Sequence, residues 1–161
     1  NNFPTHSIVD GKFRQILEET GMSVQKEVDM VGLARRMDLF SIVYVGSPEE
    51  ARDMAEVGAD VIIAHVGTTI GGSIGVVEAA MTLEEAAART QKIIEAGKTV
   101  RDDVIYLSHG GPISKPEDAA YINEHTDTVG FVGASSLERM AIEGSLTNLT
   151  REFKSIPVTR K

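Results

Sequence analysis

The chain has 161 residues, 42% hydrophobic and 25% charged, with a formal net charge of −8. This length supports one domain with a substantial core, and the acidic balance argues against a nucleic-acid groove or an anionic membrane surface as the main partner. Cysteine is absent, which excludes disulfides, thiolate metal sites and a cysteine nucleophile; no apolar run nears the ~20 residues that cross a bilayer, and no signal peptide is visible. A cytoplasmic chain is expected. With no Trp, five Phe and three Tyr, the core must be aliphatic.

The chain opens Asn1-Asn2-Phe3-Pro4, without an initiator Met, which reads as the interior of a longer protein. The first predicted strand, Ser7-Ile8-Val9, ends at Asp10-Gly11, and a helix follows from about Lys12 to Glu19 before Thr20-Gly21 breaks it. A second helix runs from about Ser23 to Arg36, its stripe formed by Val24, Val28, Val31 and Ala34. Phe40 to Val45 is the next strand. Ser47 then caps a helix with Pro48 at its first position, and that helix stops at Gly58. Val61 to Val66 is apolar on both faces, as a strand between two layers should be.

A glycine-rich loop, Gly67 to Gly75, comes next. Thr82 and Glu85 form a capping box for a helix over roughly Leu83 to Val100. Val104 to Ser108 is a strand ending in His109-Gly110-Gly111-Pro112, and Lys115-Pro116-Glu117-Asp118 opens a helix to about Glu124. The last predicted strand, Thr128 to Val132, ends in Gly133-Ala134-Ser135-Ser136, and a final helix covers Leu137 to Lys154. Five strands each followed by helix predict parallel pairing. Either an open doubly wound sheet or part of a (β/α)8 barrel fits. No linker or low-complexity segment divides residues 1–161. A full barrel needs eight strands, so barrel material of this length lacks about three βα units on its amino-terminal side.

In both architectures the loops after the strands face one pocket. Asp10, Lys12, Tyr44, His65 and His109 collect there, with Gly110, Gly111, Gly133, Ser135 and Ser136. Glycines at these turns let backbone approach a ligand, and the serines precede a helix whose amides suit a small anion; alternatively Gly-Gly-Pro is a turn and Ser-Ser a cap. The loop carrying Gly71 and Gly72 is either a lid over the ligand or a plain surface loop. It matches neither a Walker A loop nor a dinucleotide fingerprint. His65 and His109 offer acid–base capacity near neutral pH, or one of them hydrogen-bonds a neighbouring carbonyl. With Asp10 they could hold a divalent metal. No Ser-His-Asp triad can be assigned, because Ser108 and His109, adjacent on a strand, point to opposite faces.

The segments Ile8 to Arg14, Glu18 to Met22, Ala59 to His65, Gly71 to Gly75, Ser108 to Ile113 and Gly133 to Arg139 together resemble the phosphoenolpyruvate hydrolase-like family of TIM-barrel signal-transduction proteins. A related barrel domain forms the carboxyl-terminal half of plant virus-resistance proteins. The resemblance covers about Phe3 to Ile156. It implies a (β/α)8 TIM barrel of which this chain supplies about the last five βα units, and places the family near phosphonopyruvate hydrolase and the isocitrate lyase group, although the acidic metal-binding signature of that group is not seen here. The implied function is a hydrolase or lyase-like enzyme for a small phosphorylated or carboxylated metabolite such as phosphoenolpyruvate. Its rival is a non-catalytic ligand-sensing or protein-interaction module. A partial barrel exposes apolar edges, so homo-oligomerisation is expected.

Overall fold

The computed structural model describes residues 11–157. The predicted strand Ser7 to Val9, together with Asp10, lies outside them. In chain order the elements are helices α1 (Gly11–Glu19) and α2 (Val24–Arg36), strand β1 (Ile42–Val45), α3 (Pro48–Glu56), β2 (Val61–His65), α4 (Leu83–Lys98), β3 (Ile105–His109) and α5 (Pro116–His125). A π-helical turn (Ser135–Arg139) then leads into α6 (Met140–Lys154). The strands form a parallel sheet in the order β1-β2-β3, a mixed α/β arrangement.

The helix starts follow the sequence signals. The Ser47 hydroxyl accepts the Glu50 amide at 3.2 Å, with Pro48 next to it. At α4 the Thr82 hydroxyl accepts the Glu85 amide at 3.2 Å, and the Glu85 carboxylate accepts the Thr82 amide at 2.8 Å, so two otherwise orphaned donors are satisfied reciprocally. At α5 the Asp118 carboxylate accepts the amides of Ser114 and Lys115 at 3.0 and 2.9 Å.

Side-chain alternation divides the sheet into two faces. Val43, Ile62 and Tyr106 share a register, as do Val45, Ala64 and Ser108. The apolar members of this face pack against Val28 and Val31 of α2, Ala51, Met54 and Ala55 of α3, and Ile93 and Ile94 of α4. The opposite face carries Tyr44, Ile63 and Leu107 in one row and His65 beside His109 in the next. A second cluster, built on Val66, Ala86, Ala87, Ile113 and Ile122, fills the space beneath the loops.

Two expectations need correction. Of the four strands predicted within the described residues, three form. The segment from Thr128 to Val132 is extended and runs along β3, with Val129 N–H on the Tyr106 carbonyl, Ser108 N–H on the Gly130 carbonyl and Val132 N–H on the Ser108 carbonyl, at 3.0, 3.0 and 2.9 Å. Its pairing reduces to one parallel bridge, Ser108 with Phe131, because the chain leaves β3 at once after Val132. The second correction concerns Ser135 and Ser136. Neither caps a helix: no side chain caps the π turn or α6. The amides of Leu137 and Glu138 both fold back onto the Ala134 carbonyl, at 3.0 and 2.8 Å.

Ile93 is fully buried between α4 and the sheet. Ile93→Ala should therefore lower unfolding free energy by about 2–5 kcal/mol, read as a reduced midpoint in urea denaturation at constant slope.

Candidate functional site at the carboxyl ends of the strands

Tyr44, His65 and His109 stand at the carboxyl ends of three adjacent parallel strands, on the sheet face away from α2, α3 and α4. Parallel pairing sets His65 directly beside His109. Their ring centroids are 4.8 Å apart, and Tyr44 lies 5.7 Å from His65 and 5.2 Å from His109. All three pairs meet edge to face, an arrangement that ring quadrupoles favour. Phe131 closes the cluster, stacked on His109 with centroids 6.5 Å apart. His65 is 4% exposed and His109 is 7% exposed.

Each histidine has one ring nitrogen held by backbone. The Gly67 amide donates to His65 Nδ1 at 3.2 Å. His109 Nδ1 lies 2.6 Å from the Val132 carbonyl, which can only accept. Burial, the neighbouring His109 and the Arg89 charge hold the His65 imidazole down to about 3. Burial also lowers His109, against the opposing pull of its bond to Val132. Burial raises the Tyr44 phenol, and the nearby Glu138 charge adds to the effect. Both rings are therefore neutral near pH 7, and Tyr44 keeps its proton.

Charged groups gather behind this cluster at the end of β1. Arg89 donates to the Gly46 carbonyl at 2.8 Å, while the buried Glu50 carboxylate accepts the Gly46 amide at 2.6 Å and pairs with Arg14 of α1. Lys12 stands exposed in the first turn of α1. Asp10 lies outside the described residues, so its place at the rim stays an expectation.

The glycines have a role that the sequence reading did not give them. At Gly110 (φ +83°) a Cβ would sit 2.2 Å from the Gly67 carbonyl oxygen, and at Gly111 (φ +56°) 2.8 Å from that of Val66. The Gly111 amide donates to Gly67 at 2.7 Å, and the Ile70 amide to Gly111 at 3.1 Å. The close approach is thus between the loops after β2 and β3, and this packing fixes the Gly67 amide that holds His65. Gly71 and Gly72 lie against Met140 and Arg139 of the last helical segment. Arg139 donates to the Gly71 carbonyl at 3.2 Å, and Glu143 accepts the Ser73 amide at 2.7 Å. The glycine-rich loop is fastened to the start of α6. Gly133 packs against Leu137 and the Ser136 hydroxyl. Among the described residues Ser136 Oγ is buried and meets no hydrogen-bond partner.

A metal fits poorly at His65. Ligation through Nε2 would place the ring proton on Nδ1, against the incoming Gly67 N–H. The described residues contain no group of three or more potential ligands. Phe131 and Arg89 were not singled out in the sequence, and Gly67 and Val132 entered only as the start of the glycine-rich loop and the end of the last predicted strand. For Arg89 a signal existed: α4 runs antiparallel to the strands, so its early turns lie near their carboxyl ends.

These features define an α/β protein with a neutral histidine pair at the carboxyl rim of a parallel sheet. The chain belongs to the phosphoenolpyruvate hydrolase-like family, whose model matches residues 1–156. Two proteins of Solanum lycopersicum, the ToMV susceptible protein tm-1(GCR26) and the ToMV resistance protein Tm-1(GCR237), are each 49% identical to it over 156 residues, covering 96% of this chain and 21% of their own length. A Sinorhizobium fredii protein named for a transcriptional regulatory role is 29% identical over 160 residues, covering 99% of this chain and 26% of its own. The chain thus spans about a fifth to a quarter of these relatives.

Stability should carry the mark of the neutral pair. As pH falls below about 6.5 the unfolded chain takes up protons on these rings more readily than the folded protein. For His65 this lasts until about 3, so stability falls with falling pH across that window, by up to about 1.4 kcal/mol per unit from this ring. Urea melts at pH 7 and pH 5.5 measure it, and His65→Gln should flatten the dependence. Equal slopes in wild type and variant would contradict the buried neutral state.

Proposed function

We propose that this chain is the later part of a (β/α)8 barrel, about its last five βα units, and acts as an enzyme on a small phosphorylated or carboxylated metabolite such as phosphoenolpyruvate. The observation that carries the reading is the convergence of His65, His109 and Tyr44 at three neighbouring strand ends. Ligand sites of parallel α/β folds lie at that end. His65 and His109 move protons, with Tyr44 as a further hydroxyl donor. The loops carrying Gly110, Gly111, Gly133, Ser135 and Ser136 lie after the strands, and they hold the anionic end of the ligand through their backbone amides. Gly71 and Gly72 belong to the loop that covers the site, and Asp10 and Lys12 complete the rim. The family's description supports the substrate class. The partner is a small anion rather than nucleic acid or membrane; among the described residues no helix is long and apolar enough to cross a bilayer. A cytoplasmic setting and self-association fit the same reading. Ile142, Leu146, Leu149 and Phe153 form an exposed stripe along α6, each at least 51% accessible, and such a face favours a second copy.

One observation favours a second reading, a ligand-sensing or protein-interaction module. The loop bearing Gly71 and Gly72 is tied through Arg139 and Glu143 to the helix with the exposed stripe, so rim and surface share one connection, and the relatives carry names of resistance and regulation. Phosphate release from phosphoenolpyruvate decides between them. The enzyme reading expects turnover that falls about 10²–10⁴-fold in His109→Ala. Binding of phosphoenolpyruvate without turnover, unaffected by His65→Ala or His109→Ala, would establish the sensor.

A further inference from the structure

The two histidines are alike in sequence and opposite in wiring. Gly67 offers His65 Nδ1 an N–H, so that nitrogen must hold a lone pair, and in the neutral ring the proton sits on Nε2. Val132 offers His109 Nδ1 a carbonyl oxygen, so that nitrogen carries the proton and Nε2 keeps the lone pair. Both Nδ1 atoms are occupied by backbone, and the Nε2 atoms are the ones left for a ligand. One is a donor and the other an acceptor, on rings 4.8 Å apart. Neither assignment can invert without setting donor against donor at Gly67 or acceptor against acceptor at Val132.

Resting on the reading of this rim as a ligand site, we propose that the pair performs proton transfer at the carbon next to the carbonyl of a 2-oxo acid. His109 Nε2 takes a proton from that carbon. The C–H bonding pair becomes the new carbon–carbon π bond, the carbonyl π pair moves onto oxygen, and His65 Nε2–H donates a hydrogen bond to the enolate so formed. The His109 imidazolium is steadied through Nδ1 by the Val132 carbonyl. The reverse step returns the proton to carbon and restores the lone pair. No further oxidant, metal or nucleophile is needed. Gly67 and Val132 are positioning residues: they fix which ring donates and which accepts. A hydrogen-bond donor to the oxygen and a base for the carbon proton are the two groups that enolisation requires.

Two measurements on the full chain test this. Nitrogen NMR of ¹⁵N-histidine protein at pH 7, assigned with His65→Gln and His109→Gln, should show His109 protonated only at Nδ1 and His65 only at Nε2. The surviving ring's unchanged signal reports that each variant is folded. Two rings of the same tautomer, or either ring doubly protonated, would overturn the proposal. Pyruvate incubated in D2O should exchange its methyl protons in the presence of wild type. The rate should fall about 100-fold or more in His109→Gln and less in His65→Gln, whose amide still donates. No exchange by wild type, or equal losses in the two variants, would overturn it. Exchange without phosphate release from phosphoenolpyruvate would keep this inference and end the hydrolysis reading; phosphate release without exchange would do the reverse.

Discussion

The structure turns on one contact, the pairing of His65 with His109 across β2 and β3. Parallel register sets like beside like at a strand end, and burial places both rings in a medium hostile to charge. Two imidazolium ions at 4.8 Å would also repel each other, so neutrality follows from position. Neutral imidazoles must choose a tautomer, and backbone chooses it for each. The remaining architecture serves that choice. The loops after β2 and β3 pack so closely that only glycine fits at 110 and 111. The segment from Thr128 to Val132 is drawn along β3 until the Val132 carbonyl reaches His109.

The same loops connect the histidines to the rest of the molecule. From Gly67, whose amide holds His65, the chain runs to Gly71 and Ser73, which are bound by Arg139 and Glu143 at the start of α6. The π turn before α6 carries Ser136 and brings Glu138 close enough to raise the Tyr44 phenol. The rim therefore connects, through elements within one helix, to the exposed apolar stripe of Ile142, Leu146, Leu149 and Phe153.

Much of the frame was legible because its signals are local. Ser47-Pro48 and Thr82 with Glu85 mark helix starts through bonds made within a few residues, and the structure repeats them. Val61 to Val66 reads as a doubly covered strand because every residue is apolar or at a strand end, and all are buried. Period-two alternation predicts that Ser108 and His109 face opposite ways; Ser108 does lie in the register of Val45 and Ala64, on the helix-covered face. What sequence could not supply was nonlocal. Gly110 and Gly111 read as space for a ligand, but the space is taken by Gly67 and Val66, over forty residues away. Ser135-Ser136 read either as an anion site or as caps, and the π turn, which folds two amides onto Ala134, leaves neither serine as a cap. Thr128 to Val132 has strand composition, but strand identity needs a sustained neighbour. The hydrogen-bond partners of the histidines are backbone groups, which carry no residue-type signature at all.

Neutron diffraction from deuterium-exchanged crystals at pH 7 reads the central claim without a substrate. The account predicts one deuteron on each ring, at Nδ1 of His109 and at Nε2 of His65. A deuteron on both nitrogens of either ring, or the same nitrogen occupied in both, would contradict it.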